Sequence, residues 1–215
     1  RRILREKGDV IWTCDLSHNL SHLHITFISR QALGKLTRGL NMIQNISHTA
    51  RKSSVREDEN MIRVCFVCHG NICRSTMSQF VFQDMINQKG LTDQFYINSA
   101  ATSREEIGNG PHYGTVNKMK QVGIPVLPHR AVQMTKKDYR EYDYLIGMDE
   151  ANIRNMMRIA GGDPEGKIHM LLDYSDSPRA IADPWYTGNF DVTYDDVVEG
   201  CTAFLNYLEE RGRIF

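Results

Sequence analysis

The chain has 215 residues, 26 Lys and Arg against 26 Asp and Glu, and 41% hydrophobic content, the profile of an ordinary globular protein. With no net charge there is no basic excess to point to nucleic acid, and no apolar run approaches the roughly 18 residues that would cross a bilayer. The five cysteines, Cys14, Cys65, Cys68, Cys73 and Cys201, are odd in number and loosely spaced, which argues against a secreted disulfide framework and for a cytoplasmic location with at least one free thiol.

In chain order, residues 1–60 hold 10 basic against 6 acidic residues, while the rest of the chain is mildly acidic. Their best periodic feature is Leu33, Leu36, Leu40 and Ile43, interrupted by Gly34 and Gly39 at about 1 kcal/mol each relative to alanine. Residues 1–60 are therefore expected to be a poorly ordered or weakly helical extension. The charged run Arg56–Asn60 reads as a linker, and Met61, where the strand pattern begins, is a candidate start of the folded unit, residues 61–215.

From there the pattern alternates. Met61–Val67 is a nearly continuous apolar run, as for a strand covered on both faces, and Thr76–Lys89 follows with Met77, Phe80, Val81 and Met85 at helical spacing, closed by Gly90. Phe95–Ala100 reads as a second strand and Thr115–Val122 as a helix ending at Gly123. Tyr142–Met148 reads as a strand leading into a helix that Asp149 can cap. A further strand fits Ile168–Leu172. The last helix carries the apolar stripe Val197, Val198, Cys201, Phe204, Leu205 and Leu208, with Thr193 as its expected cap. Alternating strands and helices predict an α/β fold with a parallel sheet.

Between the first strand and helix lies Val67-Cys68-His69-Gly70-Asn71-Ile72-Cys73-Arg74-Ser75. A phosphate dianion needs converging N–H donors, and a strand-to-helix turn supplies them from backbone alone. Gly70 permits the bend, and the planar fork of Arg74 can hold two oxygens of a transferring phosphoryl group. The same donors favour the thiolate of Cys68, a nucleophile for phosphorus. Ser75 can either donate to that sulfur or cap the helix. Cys65 and Cys68 are formally a Cys-x2-Cys pair. With Cys73 and His69 they could form a zinc or redox site, but Cys65 sits inside an apolar strand and no second ligand pair follows. Neither metal nor cofactor is expected. Cys73, five residues after Cys68, could form a reversible disulfide that shelters it. Near the far end, Asp183-Pro184-Trp185-Tyr186 sets a carboxylic acid beside two aromatic rings, as protonation of an aryl leaving group requires.

The loop motif, Ser99-Ala100 on the second strand, and Asp183-Pro184-Trp185-Tyr186 resemble the low-molecular-weight protein tyrosine phosphatases from about Met61 to Leu208. The resemblance implies a flavodoxin-like, doubly wound parallel sheet in three layers. It implies Cys68 as nucleophile, Arg74 as phosphate clamp and Asp183 as the acid that later activates water. It also implies Asn71 in a strained loop conformation, tied to His129 and supported by Asp149, and Trp185 and Tyr186 as walls of a slot for phosphotyrosine proteins or small aryl phosphates. No oligomeric state follows from it. The chain departs from the family at Thr76, where proline is usual, and at Glu105, where many members carry tryptophan. The second change predicts an altered pocket wall and a shifted preference for charged flanks. Arsenate reductases of this fold need further cysteines that residues 74–200 do not contain, and arginine phosphatases of the same architecture carry threonine at the position of Ile72.

Overall fold

The computed structural model describes residues 61–214, together with the backbone of two short strands before them, Val10–Ile11 and Ile28–Ser29, which pair antiparallel. The chain divides into two units, residues 1–59 and 60–215. The helix expected over Leu33–Ile43, the loosely ordered character assigned to 1–60, and Cys14 lie outside the described residues.

The second unit is built on four parallel strands, β1 (Ile62–Cys68), β2 (Phe95–Ala101), β3 (Tyr144–Gly147) and β4 (Ile168–Met170), in the order β2-β1-β3-β4. β1 is central and pairs along its full length with β2, Ile62 opposite Phe95 through Cys68 opposite Ala101. Its period of two divides the core. Ile62, Val64, Phe66 and Cys68 face one cluster, while Cys65 and Val67 face another. A strand buried on both faces has no polar face to show, which is why its sequence reads as one apolar run.

The first cluster is closed by helices α1 (Arg74–Gln88), through Met77, Phe80 and Val81, and α6 (Phe190–Glu210), through Val197, Cys201, Phe204, Leu205 and Leu208. Each such side chain, fully withdrawn from water, contributes about 1.5–3 kcal/mol of transfer free energy. Gly200 lets α6 lie against Leu171, since a Cβ there would come within 2.6 Å of its side chain. α2 (Tyr113–Val122) adds Met119 to this face, whereas α3 (Lys136–Glu141) and α4 (Glu150–Ala160) cover the other through Tyr139, Met156 and Ala160. The result is a doubly wound three-layer α/β sandwich. The chain leaves β1 toward β2 on one side and returns to β3 on the other, so the loop after β1 sits at the topological switch point where ligands of such sheets bind.

Several details differ from expectation. β4 stops at Met170 because the Asp173 carboxylate accepts from the Met170 amide at 2.8 Å and bends the chain into a 3-10 turn, Leu171–Tyr174. α6 begins at Phe190, where Asn189 accepts from the amides of Asp191 and Val192. Thr193 is not the cap; buried in the first turn, it donates to the carbonyls of Ala182 and Asn189. The short helices α3 and α5 (Pro184–Thr187) were not expected at all.

Candidate active site

Residues 68–74 turn from the end of β1 into the start of α1, and the turn depends on one residue in the left-handed region, Asn71, with φ 59°. A non-glycine residue holds that conformation only when its surroundings over-determine it, and here they do. The His129 ring meets the Asn71 carbonyl at 2.8 Å. Burial pushes the His129 pKa down, so the ring is neutral, and because a carbonyl can only accept, Nε2 carries the proton.

The Asn71 side chain fixes the polarity of a longer chain of contacts. The Val132 amide donates to Asn71 Oδ1 at 3.1 Å, so Nδ2 is the donor toward Ser75 Oγ and Ser99 Oγ, each at 2.9 Å. The Ser99 hydroxyl in turn donates to Gln79 Oε1 at 2.6 Å. Ser75 Oγ, which accepts from Asn71, also hydrogen-bonds Cys68 Sγ at 3.1 Å with its own proton available to the sulfur, and the Asn71 amide donates to the same sulfur at 3.2 Å. Of the two roles open to Ser75 from the sequence, contact with the sulfur is the one realised. α1 is preceded by Cys73, whose side chain makes no cap bond.

Arg74 opens α1 and is only 3% exposed. Its guanidinium donates to Asp149 Oδ2 at 2.6 Å, to the Ile181 carbonyl at 3.2 Å and to Asp183 Oδ2 at 2.5 Å. A buried cation is thus neutralised twice, as burial of charge demands. Of the five N–H groups of a guanidinium, these contacts take three and leave two. Asp149 does two things at once. Oδ1 caps α4 by accepting from the Asn152 amide at 2.7 Å, and Oδ2 orients Arg74. The sequence reading placed Asp149 in the support of Asn71; its contacts are instead with Arg74, while the Asn71 network runs through Ser75, Ser99 and His129.

Asp183 caps α5, its Oδ1 accepting from the Trp185 amide at 3.0 Å. Cys68, His69, Gly70, Ile72, Cys73, Arg74, Glu105, Asp183, Trp185 and Tyr186 line one cavity of about 140 Å³. Every residue expected at the loop or pocket is therefore at this cavity, except Asn71, Ser75, His129 and Asp149, which stand behind it. Trp185 and Tyr186 are 58% and 86% exposed, as rings waiting at the mouth of a slot would be. Glu105, which meets His69 at 3.1 Å, lines the same cavity, as does Glu106, whose place beside Glu105 was the signal available in the sequence. Gln79 was also missed; it lies one turn along α1 from Ser75 and so faces the same side.

The four described cysteines are free. Burial pushes the Cys73 thiol up to about 12, with the nearby Cys68 and Asp183 adding to it. Burial also pushes up the thiols of Cys65 and Cys201. These three stay protonated at neutral pH and are poor nucleophiles. Cys68 alone among the described cysteines has its sulfur at the cavity with a serine and a main-chain amide directed at it.

A buried arginine and a hydroxyl-bonded thiol stand at the end of a central parallel strand, with an acid beside two aromatic rings at the same cavity. A profile of the low molecular weight phosphotyrosine protein phosphatase family matches residues 63–213, and the chain belongs to that family. It is similar to the low molecular weight protein-tyrosine-phosphatase YfkJ of Bacillus subtilis, 38% identical over 156 residues, 72% of this chain and 100% of that protein. It is also similar to the human low molecular weight phosphotyrosine protein phosphatase, 39% identical over 147 residues, 66% of this chain and 92% of the other. Among solved structures, that of YfkJ matches with a TM-score of 0.68 and 38% identity over 70% of this chain and 96% of that one. A Drosophila arginine phosphatase matches with a TM-score of 0.64 and 26% identity over 69% and 98%.

Proposed function

We propose that the protein hydrolyses phosphotyrosine in proteins, or small aryl phosphates, through a phosphocysteine and without a metal. The observation that carries this is the gathering of Cys68, Arg74 and Asp183 at one cavity walled by Trp185 and Tyr186. The phosphate enters between the amides of the loop and the two unused N–H groups of Arg74. It competes with Asp183 for that guanidinium, which frees the carboxyl to turn toward the leaving oxygen.

The Cys68 thiolate then attacks phosphorus in line. The S–P bond forms, the bond from phosphorus to the phenolic oxygen breaks, and that oxygen takes the proton of Asp183. In the second displacement Asp183 removes a proton from water, whose oxygen attacks phosphorus. The S–P bond breaks, phosphate leaves, and the thiolate returns, held by the Ser75 hydroxyl and the Asn71 amide. A location in the cytoplasm fits the free thiols; among the described residues no helix is long and apolar enough to cross a membrane.

Ile72, buried beside the cavity, offers phosphoarginine no hydroxyl partner, and Glu105 and Glu106 set negative charge on the rim. Phosphate release from matched peptides tests the reading. Phosphotyrosine is expected to turn over at least about 100-fold faster than phosphoserine or phosphoarginine, the scale on which a shaped pocket rejects a misfit, and fastest beside basic residues. Equal rates on the three phosphoamino acids would refute the assignment.

A further inference from the structure

Asp183 ends a stretch, residues 175–183, that belongs to no helix or strand and is exposed along its middle. Its C-terminal end is pinned near the site. The Ile181 amide donates to the Met148 carbonyl at 2.8 Å, Arg74 donates to the Ile181 carbonyl, and Thr193 Oγ1 donates to the Ala182 carbonyl at 3.0 Å. Its N-terminal end is a small turn in which the Ser177 amide donates to Ser175 Oγ at 3.2 Å. Between the two, Arg179 reaches across to α6. One guanidinium nitrogen donates to the Ser177 carbonyl at 3.0 Å and Glu199 Oε1 at 3.0 Å. The other donates to Asp196 Oδ1 at 2.6 Å and Glu199 Oε2 at 2.7 Å.

An isolated surface ion pair fixes little. A planar fork shared by two carboxylates and a carbonyl of its own loop has one geometry, which is the case where such a pair matters. Asp196 is itself buried, and Asp196 and Glu199 are presented on one face of a long helix anchored by Val197, Cys201 and Phe204. The hydrogen bonds from Arg179 hold Glu199 below the usual carboxylate range. Arg179 lies four residues before Asp183, on the far side of Ile181 and Ala182, so its clasp holds the part of the stretch that the hydrogen bonds of those two residues do not.

We propose that Arg179 is a positioning residue, whose clasp on Asp196 and Glu199 sets the loop so that the carboxyl of Asp183 meets the leaving oxygen. This rests on Asp183 being the acid of the proposed reaction. Arg179 touches neither substrate nor the reacting atoms, so its removal should act only where the acid acts. Steady-state kcat/KM is measured with phenyl phosphate, whose leaving oxygen needs a proton, and with 2,4-dinitrophenyl phosphate, whose leaving group departs unprotonated.

Arg179→Ala is expected to lose about tenfold on phenyl phosphate, a part of the roughly 10²–10⁴-fold that a positioned acid supplies, and less than about twofold on the dinitrophenyl ester. In an Asp183→Asn background it should cost nothing more, because residues acting as a unit are not additive. Arg179→Lys, which keeps the charge and loses the fork, should fall between. Should Arg179→Ala fail to fold by thermal melting, Glu199→Gln is read in the same way. Equal losses on both esters, a further loss in the Asp183→Asn background, or an undiminished rate on phenyl phosphate would each overturn the proposal. If Asp183→Asn itself fails to distinguish the two esters, it is the reading of Asp183 that falls.

Discussion

Cys68→Ser is expected to lower turnover of an aryl phosphate on the order of 10⁶-fold, the scale on which removal of a nucleophile acts, while leaving the fold and phosphate binding in place. The hydroxyl is nearly isosteric with the thiol and can accept from the same donors, the Asn71 amide and the Ser75 hydroxyl. The buried contacts behind the loop, from Asn71 to Ser75, Ser99 and His129, are untouched. What is lost is the sulfur nucleophile, since a serine hydroxyl with no base beside it attacks phosphorus far more slowly than a thiolate. None of the other described thiols can substitute, because burial keeps Cys65, Cys73 and Cys201 protonated. The measurement is phenol release by purified wild type and variant. Binding is followed by protection of the variant against thermal unfolding by inorganic phosphate, which stabilises only a folded site.

Asp183→Asn is expected to slow the same reaction by roughly 10²–10⁴-fold, equivalent to about 3–5 kcal/mol of transition-state stabilisation. An amide still accepts from the Trp185 amide, so α5 keeps its cap. It cannot donate an acidic proton to the phenolic oxygen, nor remove one from water in the second step. Arg74 loses one of its two carboxylates and keeps Asp149, so the guanidinium remains oriented. The variant should therefore bind phosphate at least as well as the wild type while releasing phenol slowly. The loss should shrink as the leaving group improves, because a stable phenolate needs no acid. A loss that is the same for every leaving group would mean that Asp183 matters only as a partner for Arg74.

Much of this site is legible in nine consecutive residues because its parts must be contiguous. The proposed nucleophile, the bend, the amides and the arginine all belong to one strand-to-helix turn, and a turn is a local object. The strands were legible for a related reason, since β1 is buried on both faces and shows an apolar run with no competing period.

What was not legible depends on contacts between distant segments. Asp149 is recognisable as a cap of α4, but its other oxygen reaches Arg74 across 75 positions of sequence, and no local pattern announces that. Thr193 has the composition of a cap, and Asn189, one turn earlier, supplied a better placed oxygen. α3 escaped notice because it buries only Tyr139 and so carries no stripe; its hydrogen-bonded Thr135 and Asp138 at the start were the available signal. Arg179 reads as an ordinary exposed arginine until α6 is laid beside it.

In the proposed reaction the phosphoryl group passes through the Cys68 sulfur. Wild type and Asp183→Asn mixed with 2,4-dinitrophenyl phosphate, quenched within a turnover and digested for mass spectrometry, test it most directly. The prediction is a phosphoryl group on the peptide that contains Cys68, persisting longer in Asp183→Asn because hydrolysis of the thiophosphate ester lacks its base. Phosphate on any other residue, or phenolate released with no covalent species at any time, would contradict the account.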